Sequence, residues 1–141
     1  KKPFSTDLPA VTSDYFPTSL AAAGIPLPDD REYDGINLLP LIDGKIKKRK
    51  GIGFHCRGMD AWIEKKYKII RISSKKEQKN PWELYDLLKD PYEENDLAKK
   101  FPTVVERMNQ EFTVWATSVQ ADEQKVLEKY HSSKTKKKKS K

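Results

Sequence analysis

The sequence has little of the residues that staple small folds or mark common sites. Its single cysteine, Cys56, cannot close an internal disulfide and offers no CxxC pair for zinc, so neither a disulfide scaffold nor a zinc ribbon holds this chain together. No apolar run reaches the ~20 residues of a membrane span. The first residues, Lys1-Lys2-Pro3-Phe4-Ser5, carry no apolar stretch of the signal-peptide kind, so any export signal is expected upstream of this chain.

Charge of one sign is scarce everywhere but in one place. The net charge is +7, yet residues 125–141 hold eight of the 28 basic residues and one of the 21 acidic ones. The remainder, 20 of each sign, cancels. A neutral body has no broad field to gather phosphates, so polyanion binding, if any, would belong to the tail, and no nucleic-acid partner is expected. What the 141 residues do contain is three Trp, six Tyr and five Phe, enough large surface to hold one modest domain.

Periodicity divides the chain. Thr12 or Ser13 can cap a short helix through Tyr15, Phe16, Leu20 and Ala23, with Pro17 in its first turn and Gly24 as its stop before Ile25-Pro26-Leu27-Pro28. A polar loop from Asp29 to Asp34 leads to the apolar stretch Ile36–Ile42, broken by Pro40 and expected as a buried connector. From Gly51 the period is two: Ile52, Phe54 and Cys56 alternate with Gly53, His55 and Arg57, which predicts a half-buried strand with Cys56 as a small inward-facing hydrophobe. Met59–Ile63, Tyr67–Ile72 and Trp82–Leu87 are the next three strand candidates, with a polar loop at Ser73–Pro81. Pro102 or Thr103 then opens the longest helix, whose Val104, Met108, Phe112, Trp115 and Val119 form one apolar stripe. The expected class is α+β: a small four-stranded antiparallel sheet with a C-terminal helix packed on it.

Four short motifs in order carry a family resemblance. Ser13-Asp14-Tyr15-Phe16-Pro17-Thr18 through Gly24-Ile25-Pro26, then Asp34-Gly35 and Leu38-Leu39-Pro40-Leu41-Ile42-Asp43-Gly44, resemble the stretch leading into the C-terminal subdomain of formylglycine-dependent sulfatases. Tyr67-Lys68-Ile69-Ile70 resembles that family's "YK" strand. Glu83-Leu84-Tyr85-Asp86-Leu87, Asp90-Pro91, Glu94-Asn95 and Leu97-Ala98 resemble its "ELYDL, DP, E, N, LA" series. Gly51-Ile52-Gly53-Phe54 and Ala61-Trp62-Ile63 look most like bacterial sulfatases of the arylsulfatase and N-acetylgalactosamine-6-sulfatase kind.

The resemblance implies the C-terminal subdomain of an alkaline-phosphatase-like sulfatase fold. Residues 1–50 would be a connector with a short helix at the end of the catalytic domain, 51–122 the subdomain, and 123–141 a basic, disordered tail. It implies a parent that hydrolyses sulfate esters of a sulfated sugar or an aryl alcohol, in the periplasm or outside the cell, with calcium and formylglycine held in a catalytic domain upstream in the same chain. This part is expected to be inactive alone. The family makes its nucleophile from the Cys or Ser of a C/S-x-P-x-R motif, and Cys56 is followed by Arg57-Gly58-Met59-Asp60, without the proline. No catalytic residue, metal ligand or cofactor is therefore assigned here: Asp29-Asp30 and Glu93-Glu94 are adjacent carboxylates that point apart in extended chain.

His55 and Arg57, on the face of the first strand turned from its apolar side, are the candidate cations at the rim of the substrate cleft, against the alternative of a solvated strand face. Trp82, Tyr85 and Trp115 are read as core rather than a sugar-stacking platform, and His131 carries no role. The rival to the sulfatase reading is a non-catalytic basic module that binds polyanions through Lys134–Lys141 and the Lys45–Lys50 run.

Overall fold

The computed structural model describes residues 5–73 and 80–139. Six residues of the expected Ser73–Pro81 loop, 74–79, lie outside the described residues.

The connector begins with a 3-10 turn, Thr12–Asp14, running into helix α1, Tyr15–Ala22. Neither Thr12 nor Ser13 caps it by a side-chain hydrogen bond. The Asp14 carboxylate turns back instead, and its Oδ2 accepts the Val11 amide at 2.9 Å. At the other end Gly24 adopts φ 69°, which lets the Ile25 amide reach the Leu20 carbonyl at 2.9 Å and the Gly24 amide the Ala21 carbonyl at 3.2 Å. These bonds satisfy carbonyls that the end of a helix leaves unpaired. Helix α2, Leu39–Ile42, takes Pro40 in its first turn. The connector around it is half-buried rather than buried, with Ile42 46% exposed.

Strands β1 (Ile52–Cys56), β2 (Met59–Glu64), β3 (Tyr67–Ile72) and β4 (Glu83–Asp86) form one antiparallel sheet in the order β1-β2-β3-β4. This is the expected meander. Arg57 at φ 46° and Gly58 at φ 85° make the two-residue turn between β1 and β2, a turn of positive-φ residues whose twist suits a tight hairpin. That turn fixes the register, so Gly53 faces Trp62 and His55 faces Asp60.

Helix α3, Pro102–Lys139, crosses the sheet and closes the core. Its proline stands at the first position, where no amide is needed. Trp62, Ile69 and Leu84 on the sheet pack against Met108 and Phe112 on the helix, with Trp82 and Trp115 at the margins. Trp82 and Trp115 thus take the packing role expected of them. Tyr85, 8% exposed, is also buried, on the sheet's other face.

The face of the sheet that meets the helix is not the expected one. The alternation along β1 is real, but the helix covers the face of Gly53 and not that of Ile52, Phe54 and Cys56. Trp62, Ile69 and Leu84 stand in register with Gly53 and put the bulk on that side, while Gly53 leaves room for Trp115. Consequently Cys56 is exposed, as are Phe54, Met59 and Ile72 beside it. The helix continues to Lys139 because residues 103–139 contain no Gly or Pro, and Lys, Glu, Gln and Leu all propagate helix well.

Candidate functional site

Sequence reasoning nominated His55 and Arg57. The structure separates them. Arg57 stands exposed in the β1–β2 turn, whereas His55 is built into a row that runs across three strands. Because β1, β2 and β3 are antiparallel and in register, His55, Asp60 and Arg71 are direct cross-strand neighbours on one face.

The contacts along this row are short. His55 Nδ1 lies 2.6 Å from Asp60 Oδ1. Arg71 donates to the other oxygen, Oδ2, from Nε at 2.8 Å and from a terminal nitrogen at 2.6 Å. The Asp60 side chain is 7% exposed and that of Arg71 13%, while His55 stays 58% exposed. Burial alone would raise the Asp60 carboxyl. The hydrogen bonds from His55 and Arg71, with the charge of Arg71, outweigh it and hold the group below the usual carboxylate range.

Arg71 is itself fixed from below. Its guanidinium stacks 4.2 Å over the Trp82 ring and 5.7 Å from the Phe112 centroid, and the Trp82 indole donates to Asn109 Oδ1 at 2.9 Å. The helix face therefore anchors a chain of contacts, Asn109 to Trp82 to Arg71 to Asp60, whose last member is a solvent-facing imidazole. Asp60 and Arg71 were missed in the sequence. The hairpin signal at Arg57-Gly58 could have found Asp60, since a two-residue turn places residue 55 opposite residue 60.

Two clefts lie elsewhere. One of about 670 Å³ runs between Thr6, Leu41, Tyr67 and Arg107, and another of about 560 Å³ between Tyr33, Gly51, Trp62 and Trp115. Neither is lined by His55, whose side chain is 58% exposed. A buried ion pair, Asp14 with Arg49, ties the connector to the segment entering β1: Arg49 reaches Oδ2 at 2.6 Å and Oδ1 at 3.1 Å, and its Nη1 also donates to the Pro9 carbonyl at 3.0 Å.

The residues present do not fit formylglycine or calcium. Cys56 lacks the motif the modification requires, and among the described residues no three His, Cys, Asp or Glu side chains converge to hold a metal ion.

No protein-family model matches the chain. A stretch of 42 residues, 30% of the chain, is 48% identical to the human (Homo sapiens) steryl-sulfatase and spans 7% of that protein. Among solved structures, the 6S-sulf protein from the metabolism of multiple glycosaminoglycans by Bacteroides thetaiotaomicron superposes with a TM-score of 0.60 at 27% identity, over 74% of this chain and 24% of that one. Ps i-CgsB superposes with a TM-score of 0.63 at 24% identity, over 77% of this chain and 24% of its own. BT4656, solved in complex with its substrate D-glucosamine-2-N,6-O-disulfate, gives 0.60 at 20% identity, over 77% and 24%. The chain thus spans about a quarter of the length of these structures. Its four-stranded antiparallel sheet with a C-terminal helix is the architecture of the alkaline-phosphatase-like sulfatase fold, and by that fold the chain is related to bacterial sulfatases.

Proposed function

We propose that this chain is the C-terminal portion of a sulfatase that hydrolyses sulfate esters of a sugar or aryl alcohol. It packs against an α/β catalytic domain that precedes it in the same protein, and that domain supplies the formylglycine nucleophile and its calcium. The observation that carries the reading is the lopsided match: three quarters of this chain superposes on sulfatase-fold structures, yet it accounts for only a quarter of them. The role left to this part is to close one side of the cleft and to meet the alcohol part of the ester with His55 and Arg57. A location in the periplasm or outside the cell accompanies the reading.

The surface supports a docked arrangement. The sheet face turned away from α3 exposes Phe54 at 41%, Met59 at 45% and Ile72 at 55%, with Cys56 among them. Cross-strand apolar rows of this kind are more often covered than left in water.

The deciding experiment sequences the DNA upstream of the Lys1 codon and assays the encoded protein for sulfate release from 6-sulfated N-acetylgalactosamine and from an aryl sulfate. An open frame with C/S-x-P-x-R whose product releases sulfate, while residues 1–141 alone do not, is the expected result. A stop codon followed by a start near Lys1 would remove the reading and bring forward the basic module acting through its lysines.

A further inference from the structure

The histidine at the end of the buried row is held differently from a histidine in water. An ionised carboxylate has no proton to donate, and Asp60 is engaged by Arg71 through the oxygen that does not face His55. The 2.6 Å contact between His55 Nδ1 and Asp60 Oδ1 therefore places the hydrogen on Nδ1. In the neutral ring the other nitrogen, Nε2, then carries the lone pair, on a side chain that is 58% exposed. A free imidazole prefers the opposite tautomer.

We propose that Asp60, itself fixed by Arg71 and Trp82, is a positioning residue that locks His55 in the Nδ1–H tautomer and presents Nε2 as an acceptor for a hydroxyl of a sugar-type ligand. The ligand half rests on the sulfatase reading above, and the tautomer half does not. Asp60 is buried and the Arg71 side chain is 13% exposed, both on a sheet backed by α3, so the ring is held by the scaffold rather than by a mobile loop. Because the acceptor is neutral and directional, it selects a donor such as an alcohol. Arg57, exposed at the turn two residues on, supplies a positive charge near the same end of the hairpin for an anionic substituent.

The chain is convenient for a direct test, since it has only two histidines, His55 and His131. Long-range proton–nitrogen correlation of the imidazoles at a pH of about 9, above the ordinary histidine pKa of about 6.5, reports each tautomer separately. A charge-assisted hydrogen bond biases the equilibrium by at least about tenfold, so His55 is expected to read almost wholly as Nδ1–H. In Asp60→Asn, with fold verified by its amide spectrum, the bias should fall severalfold. A wild-type His55 that is mainly Nε2–H overturns the proposal without any variant.

The ligand half is read in the complete sulfatase. There Asp60→Asn and His55→Gln should raise KM for the sulfated sugar about tenfold with kcat within about twofold, the signature of lost binding common to ground and transition states, since one good hydrogen bond is worth about that factor. Unchanged KM overturns the acceptor role. Absence of any sulfatase activity would sink the parent reading and leave the tautomer result standing.

Discussion

Trp115 occupies the place where a side chain at Gly53 would be: a Cβ built on Gly53 would stand 2.2 Å from Trp115 Cε3 and 2.3 Å from Cδ2. The indole lies against bare backbone of the edge strand, and its N–H donates to Asp34 Oδ1 at 3.0 Å. One residue of the helix thereby joins the sheet to the connector loop.

Gly53→Ala should therefore cost roughly 1–3 kcal/mol, the usual range for overpacking a filled site. Urea unfolding followed by tryptophan fluorescence checks it. An unchanged midpoint would mean that the ring is not seated on the strand. Met108→Ala, at the fully buried centre of the helix stripe, should cost about 2–5 kcal/mol in the same assay.

Asp14 is wholly buried and Arg49 nearly so, and the carboxylate also accepts the amides of Val11 and Ile36. Removing it by Asp14→Ala leaves a buried cation and two amides without partners, an expected loss of roughly 3–5 kcal/mol. Asp14→Ala and Arg49→Met combined should lose less than their sum, because each alone orphans the other. Strict additivity in chemical denaturation would contradict a direct pair.

Stability should fall at both ends of the pH scale. Asp14 and Asp60 are raised by burial but lowered further by their hydrogen bonds and by Arg49 and Arg71, so both stay below the ordinary 3.8. A carboxyl depressed in the folded state contributes stability that is complete above the unfolded value and is lost as pH falls through the folded one. Acid loss should thus begin below about pH 4 and shrink in Asp60→Asn. At the alkaline end, burial and the bond to Glu83 push Tyr85 from 10.0 up to about 12. Its contribution is complete below pH 10 and disappears as pH climbs toward 12. Difference absorbance of the phenolate should show one tyrosine titrating late, a feature that Tyr85→Phe removes.

Cys56 should react with a maleimide in the native chain at a rate independent of mild urea, because it is already exposed. In the complete sulfatase the same thiol should be protected, since Phe54, Met59 and Ile72 around it would be covered. Equal reactivity in the two proteins would argue against docking through this face.

The strands, the stop at Gly24 and the stripe on α3 were all legible in the sequence, because each follows from a local rule of periodicity or turn chemistry. The side of the sheet that the helix would choose was not. Ile52, Phe54 and Cys56 are the more apolar set along β1, and judged on that strand alone they belong inside. The choice was made on β2, β3 and β4, where Trp62, Ile69 and Leu84 build the larger surface in register with Gly53. The same non-local fact turned Cys56 outward and brought His55 to the side of Asp60 and Arg71.

What the sequence determined by itself is the inventory: which segments are strands, where the chain turns, which helix is long enough to cover a sheet, and that Cys56 lacks the motif of a sulfatase nucleophile. Those are properties of neighbours along the chain. The tertiary structure alone decided which face is core, why Gly53 must lack a side chain, that Asp14 meets Arg49 across 35 positions, and that the histidine nominated for the cleft rim is paired with Asp60. Such facts depend on register and packing between residues far apart in sequence, and no window along the chain contains them.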